Sequence, residues 1–176
     1  MKQFAGKALF LNRSDITTDE IIPAKYLEEN SKQALKSYIF EDLRIDGFSP
    51  KSDITGKHVI ITRENFGCGS TGGQAAQSLV ANEFYAVVSA NIAKGFKDNM
   101  FSAGLLPVET NKKDIEDMFR TFSEKDTDSI ITINDDNTAK VKLISGSLSK
   151  SYIFKLGTQE KEFIEKDKWL GCAQKK

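Results

Sequence analysis

The chain has 176 residues, 39% of them hydrophobic, which suits one compact domain over residues 1–176 and leaves little room for a second. Lys plus Arg number 25 and Asp plus Glu number 25, so the formal net charge is zero and no broad field favours nucleic acid or an anionic membrane. The pairs Lys112-Lys113 and Lys175-Lys176 read as solvated surface, and the early apolar run Ala8-Leu9-Phe10-Leu11 is too short for a signal-peptide core or a membrane span. Two separated cysteines, Cys68 and Cys172, and a single histidine, His58, make neither a disulfide scaffold nor a metal site, and the expectation is a soluble, reduced, cytoplasmic protein.

The first expected strand is Gly6 to Leu11, ending in the turn signature Asn12-Arg13-Ser14-Asp15. Ile16 to Leu27 mixes β-branched residues with acids and reads as an ordered loop with a short extended piece, and Ser31 to Phe40 as a helix. His58 to Thr62 is a β-branched strand, followed by the glycine-rich turn Asn65-Phe66-Gly67-Cys68-Gly69-Ser70-Thr71-Gly72-Gly73 and a helix from Gln74 to Asn82. Tyr85 to Ser89 is a strand of the buried type. Asn91 is placed to cap a helix carrying Ile92, Phe96 and Met100, which Gly104 ends before an extended Leu105 to Val108. Strand, helix, strand, helix, strand at these lengths signals parallel βαβ units. Ser129 to Ile133 and Thr138 to Leu143 flank Asn134-Asp135-Asp136-Asn137 as a hairpin, with a further strand at Ser151 to Leu156 and a closing helix at Lys161 to Leu170. The class is α/β with a mixed, partly parallel sheet flanked by helices.

The glycine-rich turn is the main chemical candidate. A strand that ends in such a turn and feeds a helix points backbone N–H groups and the positive end of the helix dipole at one place. Ser70 sits within that array, which could hold its oxygen as an alkoxide. The plain alternative is that Ser70 or Thr71 is the helix N-cap. A phosphate loop is excluded because the Gly-Lys-Ser/Thr ending is missing. The spacing Gly67-x-Gly69-x-x-Gly72 lacks the acid that a dinucleotide site needs after the next strand, where Val88, Ser89 and Ala90 stand. Asp15 and Asp19, four residues apart, can orient partners in a loop.

Asp15-Ile16-Thr17-Thr18-Asp19-Glu20-Ile21-Ile22-Pro23-Ala24-Lys25-Tyr26-Leu27 resembles the first motif of the aconitase-family swivelling domain, found as a separate small subunit in isopropylmalate dehydratases. Asn65-Phe66-Gly67-Cys68-Gly69-Ser70 is similar to the second motif. Phe40-Glu41-Asp42-Leu43-Arg44, the Asn99 to Pro107 segment and Glu162-Phe163-Ile164 extend the likeness over nearly the whole chain. The resemblance implies a swivelling β/β/α domain and a hydro-lyase that isomerises 2- and 3-isopropylmalate by dehydration and rehydration. It implies Ser70 as base, Thr71 as a substrate or alkoxide partner, and Asp19 as loop organiser and support for a histidine of the large subunit. Thr18, Gly69 and Lys25 would support the site. A [4Fe-4S] cluster is expected on the partner large subunit and none in this chain, with a small hydroxy-diacid as substrate and no nucleic acid or membrane as partner.

Two positions depart from the pattern. Gly72 stands where the family motif carries an arginine, and Glu28 where homoaconitase-like members carry another. An arginine fork binds a carboxylate bidentately and glycine cannot. Lys25, Arg63 and Lys94 are the nearest cations by sequence. The alternatives are a dehydratase subunit for another substituted malate or small hydroxy acid, and a regulatory subunit without catalysis.

Overall fold

The computed structural model describes residues 2–26, 31–69 and 73–173. Its strands are β1 (Lys2–Leu11), β2 (Lys57–Thr62), β3 (Ala86–Ser89), β4 (Leu106–Glu109), β5 (Asp128–Ile133), β6 (Thr138–Ser145) and β7 (Leu148–Lys155). They form one sheet in the order β4-β3-β2-β1-β5-β6-β7. The α-helices are α1 (Thr18–Ile21), α2 (Lys32–Ser37), α3 (Pro50–Asp53), α4 (Gln74–Ala81), α5 (Lys94–Ala103), α6 (Lys112–Phe122), α7 (Thr158–Glu165) and α8 (Leu170–Ala173). A 3-10 turn covers Ala24–Tyr26. Among the described residues no helix is long and apolar enough to cross a membrane.

β1 is the seam of the sheet. It pairs in parallel with β2 through Lys7 to Leu11 and antiparallel with β5 through Lys2 to Lys7. Parallel strands are covered on both faces, which requires apolar side chains at successive positions. Val59, Ile61, Ala86, Val88, Leu106 and Val108 point into one core cluster, while Ile60, Val87, Leu9 and Leu11 point into the other. α4 and α5 cover the second face with Ala75, Ala76, Leu79, Phe96 and Met100, and α2 is tied to α4 by the buried Ser78 Oγ donating to Leu35 O at 2.6 Å. The first face is closed by α6, the antiparallel strands, α7 and Trp169, whose Nε1–H donates to Tyr85 O at 2.7 Å.

The mixed sheet, the βαβ run and the hairpin agree with the sequence reading, and the differences have local causes. β1 begins at Lys2 because Lys2 to Lys7 finds its partner in β5, which a one-faced, polar-rich segment does not announce. The Ile16 to Leu27 loop contains α1 and the 3-10 turn. α1 exists because of a capping box, in which the Thr17 side chain accepts from Glu20 N–H and the Glu20 carboxylate accepts from Thr17 N–H. Asn91 does not cap α5, whose N-cap is Ala93 with no side-chain bond, because its Oδ1 accepts instead from Asn65 N–H at 3.1 Å. The closing helix is broken into α7 and α8. Asp167 adopts a φ of 55°, and the chain turns Trp169 into the core. α6, absent from the reading, buries Ile115, Met118, Phe119 and Phe122 on one side and leaves Lys112 and Lys113 exposed at its start.

Gly67 and Gly47 have similar left-handed backbones, with φ of 82° and 78°, but only at Gly67 would a Cβ overlap another side chain, the Phe96 ring. Gly47→Ala should therefore cost roughly 1 kcal/mol and Gly67→Ala about 2–4 kcal/mol, read from urea midpoints. Equal shifts would contradict the packing argument. A second expectation concerns Glu20, whose pKa is lowered mainly by a hydrogen bond from Arg13, with burial opposing and the Thr17 N–H adding. A depressed carboxylate stabilises the fold above its unfolded pKa, and that contribution is lost as pH falls through the folded value. The stability gap between parent and Glu20→Gln, on the order of 1 kcal/mol, should be full above the ordinary glutamate value of 4.5 and close in more acid solution. A gap that widens on acidification would refute the ionic role.

Candidate active site

The parallel pairing of the sheet continues past the ends of its strands. Beyond β1 and β2, Asp15 N–H donates to Glu64 O at 2.9 Å, Gly67 N–H to Ile16 O at 2.8 Å and Thr18 N–H to Cys68 O at 2.9 Å. The Asn65 amide also reaches Asp15 Oδ1 at 2.9 Å. On the β3 side, Asn65 N–H and Phe66 N–H donate to Asn91 O at 2.9 and 3.3 Å, and Ala93 N–H returns to Phe66 O at 2.9 Å. The turn at 65–69 is thus clamped between a loop after β1 and a loop after β3, at the C-terminal edge of parallel strands where open α/β sheets present their ligand sites.

Asn65, Gly67 and Gly69 take φ of 59°, 82° and 101°, a pattern open to glycine and asparagine and strained for most other residues. Gly69 lies against α1. A Cβ placed on it would touch Thr18 Oγ1 at 3.7 Å and Thr17 Cβ at 3.8 Å. Cys68 is half-buried with Sγ 3.7 Å from Ile16 O, and burial, followed by the negative charge of Asp15, pushes its thiol pKa up. It is held as a thiol, not poised as a nucleophile.

The structure therefore brings Thr18 and Gly69 together. Asp19 is exposed in the first turn of α1. The ordering of its loop falls to Glu20, which the sequence reading did not single out. Glu20 closes the capping box and forms an ion pair with Arg13. The Thr-x-x-Glu spacing of Thr17 and Glu20 is the signal that identifies it. Lys25 is exposed, 3.6 Å from Glu41 Oε2 and over the Tyr26 ring, and Tyr26 in turn stacks on Tyr38 and donates to Glu41 Oε1 at 3.0 Å. Arg63 binds Asn12 Oδ1 and Glu116 Oε2, each at 2.6 Å, and lies over the Phe119 ring. Lys94 is exposed in the first turn of α5.

Ser70, Thr71, Gly72 and Glu28 lie outside the described residues. α4 begins at Gln74 with Gly73 in the N-cap position, and the N-cap reading of Ser70 or Thr71 lies outside the described residues. No group of three or more His, Cys, Asp or Glu able to hold a metal is found among the described residues. A [4Fe-4S] cluster does not fit here. Cys68 sits by Ile16 beyond the end of β1, while Cys172 lies by Gln3 near its start, 3.8 Å from that carbonyl. Gln3 to Leu11 alone spans about 26 Å of extended chain, far beyond the width of a cluster.

The family model of the aconitase C-terminal domain matches residues 1–113. The 3-isopropylmalate dehydratase small subunit of Geobacillus sp. is 32% identical over 146 residues, covering 77% of this chain and 74% of that protein. The protein of the same name from Christiangramia forsetii is 34% identical over 149 residues, covering 81% and 72%. The crystal structure of 3-isopropylmalate dehydratase (leuD) from Methanocaldococcus jannaschii superposes with a TM-score of 0.66 at 25% identity and covers 96% of each chain. With the family model matching residues 1–113 of 176 and relatives above 30% identity over most of the chain, this protein belongs to the aconitase C-terminal domain family.

Proposed function

We propose that this chain, acting as a single swivelling domain over residues 1–176, is the small subunit of a cytoplasmic hydro-lyase that interconverts 2-isopropylmalate and 3-isopropylmalate, as in leucine biosynthesis. The observation that carries this reading is the clamped glycine turn at the C-terminal edge of β2, facing the Thr18 loop, in a chain about a third identical to small subunits of 3-isopropylmalate dehydratase. Its partner is a large subunit that carries the [4Fe-4S] cluster. The cysteine placement in this chain supports a cluster held elsewhere.

In this mechanism Ser70, directly after Gly69, takes the proton from the substrate carbon next to the one bearing the hydroxyl. The C–O bond of the hydroxyl breaks as the double bond forms, and Ser70 gives its proton to the carbon that lost the hydroxyl when water adds back with the opposite regiochemistry. Serine takes up a proton only as an alkoxide, which in this reading is stabilised by hydrogen-bond donors at the start of α4. Thr71 hydrogen-bonds substrate or alkoxide, and Gly69 leaves the backbone uncovered beside Thr18. Asp19, exposed, faces the large subunit and holds a histidine there. Lys25 supports the loop through Glu41.

A second reading is kept for one reason. With Gly72 in place of the motif arginine and Glu28 where homoaconitase-like members carry another, the substrate is a differently substituted malate or another small hydroxy acid. Steady-state assays of the assembled pair decide between them. Isopropylmalate turning over fastest supports the first, and a faster alternative hydroxy acid supports the second. In either case citrate, with a third carboxylate and neither motif arginine to receive it, should be turned over at least about tenfold less efficiently, the loss expected for one missing charge pair. Equal efficiency with citrate would remove the role given to Gly72 and Glu28.

Ser70→Ala gives the direct test. Because the N-cap of α4 is Gly73, the loss should cost well under the about 1 kcal/mol of a lost cap. Loss of a general base lowers turnover by about 10²–10⁴-fold. A variant that folds, assembles and keeps activity within a few-fold of the parent, roughly the scatter of a non-catalytic substitution, would end the catalytic reading of Ser70.

A further inference from the structure

Glu109 ends β4, two strands from the turn, and takes no part in the chemistry above. Both oxygens of its carboxylate are nevertheless engaged. Oε2 accepts from Ile92 N–H at 3.1 Å and Oε1 from Lys97 Nζ at 2.5 Å. Lys97 Nζ also lies 2.7 Å from Glu160 Oε1. Glu160, on the first turn of α7, is only 7% exposed and folds so closely over Gly157 that a Cβ there would strike its carboxylate. Burial pulls the Lys97 pKa down, but the hydrogen bonds it donates to Glu109 and Glu160 outweigh that and keep the ammonium charged. β4, α5 and α7 thus meet in one ionic cluster.

Such clusters add little net stability, because desolvation offsets attraction. What this one fixes is the backbone of Ile92. Ile92 is buried and bridges to Phe66, the next residue donates from Ala93 N–H to Phe66 O, and the preceding Asn91 receives the N–H groups of Asn65 and Phe66. Asn65 and Phe66 lead directly into Gly67-Cys68-Gly69-Ser70. We propose that Glu109 is a positioning residue for the Ser70 turn. It holds the 91–93 loop through Ile92 N–H, that loop holds Asn65 and Phe66, and Lys97 with Glu160 hold the Glu109 carboxylate in place. The inference rests on the reading of this turn as the reacting one.

The test uses Glu109→Ala and Glu109→Gln with two readouts. Alkylation of Cys68 by iodoacetamide in the full chain reports the turn directly, with Cys172 as internal reference, and kinetics with the large subunit report the chemistry. In Glu109→Ala the Cys68 thiol should react about tenfold faster and Cys172 within about twofold of the parent, since only the turn is released. Turnover should fall on the order of 10²-fold with KM within about threefold, the signature of a misplaced reacting group. Glu109→Gln keeps an oxygen for Ile92 N–H but turns an amide NH2 toward Lys97, so both readouts should fall between those of the parent and of Glu109→Ala. If Glu109→Ala does not fold, Glu109→Asp, one methylene short of Ile92, carries the test with the same signs. A folded variant with an unchanged Cys68 rate overturns the proposal, as does a Gln variant as impaired as the Ala variant. A parent pair inactive on every malate would remove the function proposed above, while the Cys68 readout would still decide the positioning.

Discussion

Two backbone hydrogen bonds beyond the edge of the sheet, Gly67 N–H to Ile16 O and Thr18 N–H to Cys68 O, carry the pairing of β1 and β2 outward into loops. Loops that leave parallel strands ordinarily diverge and are free to move. Here the ladder keeps two of them in register, and a third, after β3, is added through Asn91 and Ala93. The consequence is a turn whose backbone is set on both sides before any substrate arrives. Preorganisation of this kind is what a stabilised alkoxide demands, because donors that must first reorient contribute little at the moment of reaction.

That clamp has a steric requirement. The turn can be pressed between two loops only if it presents little side-chain bulk inward, and the Phe96 ring occupies the space where a Gly67 side chain would be. Phe96 is itself buried and packs edge-on against Phe66, so the aromatic pair beneath the turn and the glycine within it are one packing solution. The helix that supplies Phe96 also supplies Lys97, on its way to Glu109 and Glu160. One turn of α5 therefore serves the turn from below by packing and from the side by charge.

Much of this was legible in the sequence, for a physical reason. Strands buried on both faces must be apolar at consecutive positions, so His58 to Thr62, Tyr85 to Ser89 and Leu105 to Val108 announced themselves, and the intervening helices followed from their apolar stripes and from Gly104. α6 escaped because its four buried residues, Ile115, Met118, Phe119 and Phe122, are interleaved with Lys, Asp, Glu and Arg, and the stripe emerges only when counted at helical spacing. Thr18 and Gly69, which the sequence singles out by motif, lie against each other in the structure, whereas Glu20 is hidden behind the neighbouring Asp19, which looks equally acidic. Only the distance of three from Thr17 distinguishes them. Glu109 was beyond reach, since its partner Ile92 N–H is 17 residues earlier and carries no side-chain signature.

The same network bears on the substrate proposed for this turn. Arg13 is paired with Glu20, Lys25 with Glu41, Arg63 with Glu116, and Lys97 with both Glu109 and Glu160. Each of these cations is drawn into holding a loop or helix in place, and a paired ammonium or guanidinium presents a carboxylate with a partner already bound. On the function proposed above, Gly72 in the position of the motif arginine shifts the chain's own contribution to substrate recognition toward the hydroxyls of Ser70 and Thr71. Such groups discriminate by geometry more than by charge count. A site of this kind favours a substrate whose reacting carbon is delivered accurately over one whose extra carboxylate must be neutralised, which is the property expected of a turn held as tightly as this one.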